Sequence, residues 1–228
     1  MLEKSGVAKD LLYALQVLLR SVPGGLALSV TIMGTIMAAT TGIIGASVVM
    51  MTLLALPVML ERNYDKSLAT GTIAASGTLG ILIPPSIMLV IMADLLAISV
   101  GTLFVASVIP GLMLAMLYFV YLFFRTRLNP SLAPALPSNI GPTNLKGKLS
   151  LILKSFLPPI ALIIFVLGSI FAGIATPTEA AGVGALGSII LAVFNKRQKF
   201  KVLKDVTERS ALTGAMIFGI FIGATAFS

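Results

Sequence analysis

Residues 100–124 form a run of 25 residues without a single charge, closed by Arg125. At 1.5 Å per residue a helix of that length reaches about 37 Å, enough to cross the roughly 30 Å hydrocarbon core of a bilayer. Uncharged or nearly uncharged stretches recur at 22–60, 67–98, 150–195 and 211–228. They are continuous rather than alternating, and in lipid only helices and closed barrels satisfy their own backbone, so the pattern selects helices. Composition agrees: 57% of the 228 residues are hydrophobic and 11% charged, against about 25% charged in soluble domains. Mean hydropathy is +1.06. The expected fold class is an all-α polytopic membrane protein, with lipid bilayer as solvent for most of its surface.

The chain has no Cys, His or Trp. Thiolate and imidazole metal sites, Cys nucleophiles and Ser-His-Asp triads are therefore excluded. No paired catalytic carboxylates stand out, so no enzyme is expected. The net charge of +8 does not point to nucleic acid, because the basic residues sit between apolar runs, where cytoplasmic loops carry them.

Residues 1–21 mix charge with Leu, Val and Tyr at helical spacing, and read as an amphipathic interfacial helix or the tail of a longer one. No signal-peptide core or cleavage site opens the chain. Residues 22–60 form two apolar arms, 67–98 one transmembrane stretch interrupted by Pro84-Pro85, and 100–124 a plain span. Loop 125–149 is polar and Pro-rich, 150–195 is a pair of apolar arms, 196–209 is basic, and 211–228 enters a last span. Arg125, Arg127, Lys146, Lys148 and Lys154 cluster without an acidic residue, and Lys196, Arg197, Lys199, Lys201, Lys204 and Arg209 outnumber Asp205 and Glu208. Both loops are expected in the cytoplasm. Counting crossings backwards places 61–66 there too, so 22–60 returns to the side it left and every charged link falls on one face.

Three interruptions lie at membrane depth. Twin prolines remove two backbone donors and disfavour helix before them, and an unpartnered polar group in hydrocarbon costs several kcal/mol. Gly77, Gly80, Pro84, Pro85 and Ser86 together indicate a discontinuous helix rather than a simple kink. Freed carbonyls with Thr or Ser hydroxyls suit Na⁺, and half-helix N-termini suit an anion. Thr40-Thr41-Gly42 with Gly45 and Ser47 fits either the tip of a re-entrant hairpin or small-residue helix packing. At Thr176-Pro177-Thr178-Glu179 a capping box accounts for the residues, although Glu179 is an intramembrane carboxylate and hence a functional candidate. Asp94 reads as an interfacial carboxylate.

These segments resemble the large membrane subunit of the tripartite ATP-independent periplasmic (TRAP) transporters. The resemblance rests on the run from Ala75 to Ile87, on Gly173 to Ala181, and on Pro23-Gly24-Gly25-Leu26 and Ile109-Pro110-Gly111, in order and spacing. The Thr-Thr-Gly hairpin resembles the mannitol and chloroaromatic branch; other members have a Ser-Gly-Ser-Ser tip. The likeness covers essentially the whole chain but about half of the family's usual length, so a fragment or truncated product is expected, one half of an inverted-repeat, elevator-type fold. The resemblance implies a Na⁺-driven importer of small organic acids or related solutes in a bacterial inner membrane, with no ATP and no cofactor beyond the coupling ion. Its partners would be a small four-helix membrane subunit and a periplasmic solute-binding protein. By position, Thr41 and Gly42 would face Gly80, Ile83 and Pro85 around one Na⁺, with Ser47, Thr78 and Ser86 as polar candidates near the solute. Two other readings compete: a carrier of the Na⁺/dicarboxylate symporter kind working without a binding protein, and a non-transporting scaffold or channel subunit.

Overall fold

The computed structural model describes residues 6–42, 44–136, 141–142, 144–195 and 200–227, leaving out the side chains at 38–41, 145, 200 and 227. Among the described residues there is no strand. The described residues form nine helices in order: α1 (Val7–Leu19), α2 (Gly25–Thr41), α3 (Ile44–Glu61), α4 (Lys66–Thr78), α5 (Ile87–Leu95), α6 (Val100–Leu128), α7 (Leu145–Phe171), α8 (Pro177–Phe194) and α9 (Phe200–Phe227). A 3-10 turn at Leu79–Ile81 continues α4, and another at Pro130–Leu132 follows α6. Among the described residues five helices, α3 and α6 to α9, are long and apolar enough to cross a membrane. Side chains such as Ile109, Met116 and Leu117 on α6 are more than 60% exposed, an apolar surface that a lipid environment explains and water does not. The chain is an all-α polytopic membrane protein.

The main core lies among α1 to α4. Leu11 and Leu15 of α1, Met33 and Met37 of α2, Met51 and Ala55 of α3, and Ile73 of α4 are buried together. Helix α1 uses its apolar face against α2 and α7, leaving Lys9, Asp10 and Tyr13 exposed, so its amphipathic pattern serves a protein contact. Close approach of α2, α3 and α4 depends on glycine. A Cβ at Gly34 would stand 2.7 Å from Ser76 Cβ, and one at Gly77 would collide with Val48.

The ends that carry the basic links are tied together by backbone bonds. Gly24 N–H donates to Ala133 O (2.9 Å), Asp65 N–H to Leu132 O (2.9 Å) and Leu136 N–H to Arg20 O (2.9 Å). Thr126 Oγ1 donates to Pro23 O at 3.1 Å. The Tyr64 hydroxyl, buried in the α3–α4 link, accepts from Leu26 N–H at 3.2 Å and so satisfies one of the unpaired donors at the start of α2. Burial pushes its pKa up to about 12. The two arms of the α2–α3 hairpin are thus pinned at their base, and the opposite end of the hairpin is a tip at Gly42.

Candidate functional site

The break between α4 and α5 follows from missing donors. In a continuous helix the carbonyls of Gly80 and Ile81 would accept from residues 84 and 85, but both are proline and have no N–H. The chain tightens instead: Leu79 O accepts from Leu82 N–H (3.1 Å) and from Ile83 N–H (3.0 Å). Ser86 Oγ donates to Ile81 O at 3.0 Å, replacing the donor that Pro85 lacks. Ser86, in extended conformation, then starts α5. The Gly80 carbonyl is left without its helical donor.

This opened stretch is enclosed by protein. Leu79 and Ile83 are buried with Ala115 of α6, packed by Leu114, Tyr118 and Ile163. A Cβ at Gly111 of α6 would stand 3.0 Å from Ile83 Cγ1 and 3.2 Å from Leu82 O, so glycine there lets a main-chain carbonyl lie against the helix. The turn Leu79–Ile81 also packs against α2 and α3.

The hairpin tip reaches the same depth. Thirteen residues of α4 rise about 20 Å from the basic end, and there Gly42 meets the start of α5. Gly42 has φ +62°, and a Cβ on it would be 3.0 Å from Ile87 N and 3.5 Å from Ser86 Cα. Four helix ends therefore converge: the C-terminal ends of α2 and of the α4 turn, and the N-terminal ends of α3 and α5. Exposed carbonyls at the first pair favour a cation, and unpaired N–H groups at the second favour an anion. Among the described residues no cluster of three or more His, Cys, Asp or Glu is present, so main-chain and hydroxyl oxygens would be the donors.

Of the residues singled out from the sequence, Gly42, Gly80 and Ile83 are buried at this junction and Pro85 is half-buried in it. Thr41 ends α2, its side chain lying outside the described parts. Ser86 borders a cavity of about 330 Å³ together with Pro85 and Ile87, Phe104 of α6, Val166 and Ile170 of α7, and Ala181, Gly184 and Ser188 of α8. Ser47 is buried on α3 and Thr78 Oγ1 donates to Ala75 O at 2.7 Å; neither borders that cavity. Sequence reasoning passed over Gly111 as more than a weak motif element, and over the α8 wall. The signal for the wall was present: Ala181, Gly184, Ala185 and Ser188 repeat at helical spacing on one face.

Glu179 belongs to the third interruption. Thr176 Oγ1 accepts from Glu179 N–H at 3.3 Å, and Glu179 Oε2 accepts from Thr176 N–H at 2.8 Å. This is a complete capping box with Pro177 in the first turn of α8.

A family profile described as "Tripartite ATP-independent periplasmic transporter, DctM component" matches residues 1–228. The chain is 35% identical over 189 residues to a C4-dicarboxylate TRAP transporter large permease protein DctM of Pseudomonas aeruginosa, covering 83% of this chain and 43% of that protein. It is 34% identical to the Rhodobacter capsulatus protein of the same description, over 100% of this chain and 53% of the other. Identity to an isethionate TRAP transporter permease protein DctMQ of Oleidesulfovibrio alaskensis is 32%, over 97% of this chain and 34% of the other. The chain thus spans about half the length, or less, of these curated relatives. A profile match from the first residue to the last, joined to these identities, places the chain in the DctM component family of tripartite ATP-independent periplasmic transporters.

Proposed function

We propose that this chain carries one half of the cation and solute machinery of a Na⁺-coupled, ATP-independent importer of small organic acids. One observation supports the reading above all others: the broken segment is buried in protein, faces a hairpin tip, and opens on a cavity. A lipid-facing proline bend would have none of the three. In this reading Gly80 O, backbone at the ends of α2 and the α4 turn, and the Thr41 hydroxyl hold one Na⁺ beside Gly42, Ile83 and Pro85. The solute lies in the 330 Å³ cavity, a volume at the small end of ligand pockets, with an anionic group toward the N-terminus of α5 and Ser86. Ser47 and Thr78 support the tip and the end of α4 from behind. The names of the relatives, which mention C4-dicarboxylates and isethionate, agree with a small anionic solute.

The basic links lie in the cytoplasm of a bacterial cell and the α7–α8 turn on the periplasmic side. A small four-helix membrane subunit and a periplasmic solute-binding protein complete the system; a relative whose name joins M and Q fits a permease associated with such a subunit. The complementary repeat and an elevator motion belong to the complete protein. Reconstitution of the complete permease with both partners tests the reading. Gly80→Val should abolish Na⁺-driven uptake of a C4-dicarboxylate or isethionate while leaving insertion and assembly intact. Uptake with unaltered Na⁺ dependence in that variant would remove the site.

A further inference from the structure

A second cavity, of about 570 Å³, lies below the break between α2, α4 and α6. Asp65 and Arg125 border it, and Thr31, Thr72 and Ser76 line its wall. Ser76 is two residues before the end of α4 at Thr78, so the cavity runs from the basic end to the underside of the junction. The hydroxyl protons of Thr31, Thr72 and Ser76 are already committed. Thr31 Oγ1 donates to Ala27 O (3.1 Å), Thr72 Oγ1 to Leu68 O (2.7 Å) and Ser76 Oγ to Thr72 O (2.7 Å). A hydroxyl has one proton and two lone pairs, so these side chains offer oxygen lone pairs to any occupant.

The charges on Asp65 and Arg125 offset each other, which leaves selectivity to the wall. Ser76 Oγ also donates a long, second hydrogen bond to Thr31 Oγ1 across α4 and α2 at 3.4 Å, which leaves Thr31 one lone pair. Two oxygens bound at right angles to one cation at about 2.4 Å would be separated by about 3.4 Å. Helix packing by small residues explains the Gly34–Ser76 approach, but it does not explain a half-open space of this size beside it, bordered by two charged residues and three hydroxyls among apolar side chains. That space exceeds the roughly 30 Å³ share of a single water many times over.

We propose that this cavity is a water-filled vestibule through which a monovalent cation passes between the basic-end solution and the junction. It rests on the reading of the junction as a cation site. The test uses the complete transporter in inside-out vesicles, with Thr72→Cys on α4 or, should that variant not assemble, Thr31→Cys on α2. The 228 residues contain no native Cys, so a modified peptide from this region is unambiguous by mass spectrometry. Membrane-impermeant methanethiosulfonates, one cationic and one anionic, are applied, with Ser131→Cys in the exposed turn after α6 as reference. The expected cationic-to-anionic rate ratio at position 72 is about ten-fold above the reference ratio, and Na⁺ should slow the cationic reagent. No reaction at position 72, or a ratio equal to the reference, overturns the vestibule even where uptake remains Na⁺-driven. Cation preference at position 72 in a transporter whose uptake ignores Na⁺ would instead sink the coupling-ion reading and leave the vestibule standing.

Discussion

Ser86 and Gly42 hold the junction in different ways. The Ser86 hydroxyl takes over the hydrogen bond that Pro85 cannot make. Ser86→Ala would leave the Ile81 carbonyl unsatisfied at about 1–3 kcal/mol, read as a lower apparent Tm of the complete permease. Ser86→Thr, which keeps the oxygen, should restore it, and an Ala variant of unchanged Tm would show that the bond holds nothing. Gly42 owes its place to what it lacks, since any Cβ there would press on Ile87 N. Thr41 is adjacent and is the hydroxyl candidate of the tip. Thr41→Ala should weaken apparent Na⁺ affinity roughly five-fold, the effect of losing about 1 kcal/mol of ligation. A superimposable Na⁺ titration would assign the site to main-chain oxygens alone. In the sequence Ser47, Thr78 and Ser86 look equivalent, small polar residues near a break. Their hydrogen bonds and neighbours separate them, and those depend on where other helices lie.

At the scale of elements, two pairs of prolines behave in opposite ways. Pro158 and Pro159 sit inside α7 without interrupting it, as Pro57 does in α3 and Pro110 in α6. Pro84 and Pro85 end one helix and precede another. Twin prolines alone therefore do not open a helix. At 77–86 they act together with glycines at 77 and 80, a serine that supplies a substitute donor, and Gly111 on the neighbouring helix, against which the opened chain packs. Proline in a helix interior costs about 3 kcal/mol, so Pro84→Ala, which returns a donor toward Gly80 O, should favour a continuous helix. We expect a higher apparent Tm without Na⁺ and loss of the stabilisation that bound Na⁺ adds through linkage. Pro158→Ala should leave the Na⁺-dependent rise intact. Equal responses in the two variants would detach the break from cation binding.

For the molecule as a whole, the pinned base of the hairpin lets a tip about 20 Å away be positioned by rigid helices. Tyr64, Gly24, Thr126 and the 132–136 segment make that base. Tyr64→Phe removes the acceptor for Leu26 N–H and should cost about 1 kcal/mol, with a matching fall in Tm. Because burial holds the folded pKa at about 12, above the ordinary value near 10, the unfolded chain loses its proton first as pH rises. The Tyr64 contribution is complete below pH 10 and declines between about 10 and 12. The Phe variant should lack that component of the alkaline loss in a pH series of Tm; an identical slope in both proteins would refute the assignment.

Residue order alone determined that this chain is helical and crosses membranes, because uncharged runs of bilayer length leave no other way to satisfy the backbone. It also marked the start of α8, since a Thr-x-x-Glu cap acts within one turn, whereas the missing N–H groups at 84–85 opened the helix only in company with Gly111 of α6. Family membership was legible for the same reason: the motifs are local. Which polar groups share a site was decided only by tertiary structure. Gly42 and Ile87 are 45 positions apart, and the α8 wall is further still. Their approach depends on glycines that let helices pack and on a base that sets the depth of the tip, and neither is a property of the segments taken singly.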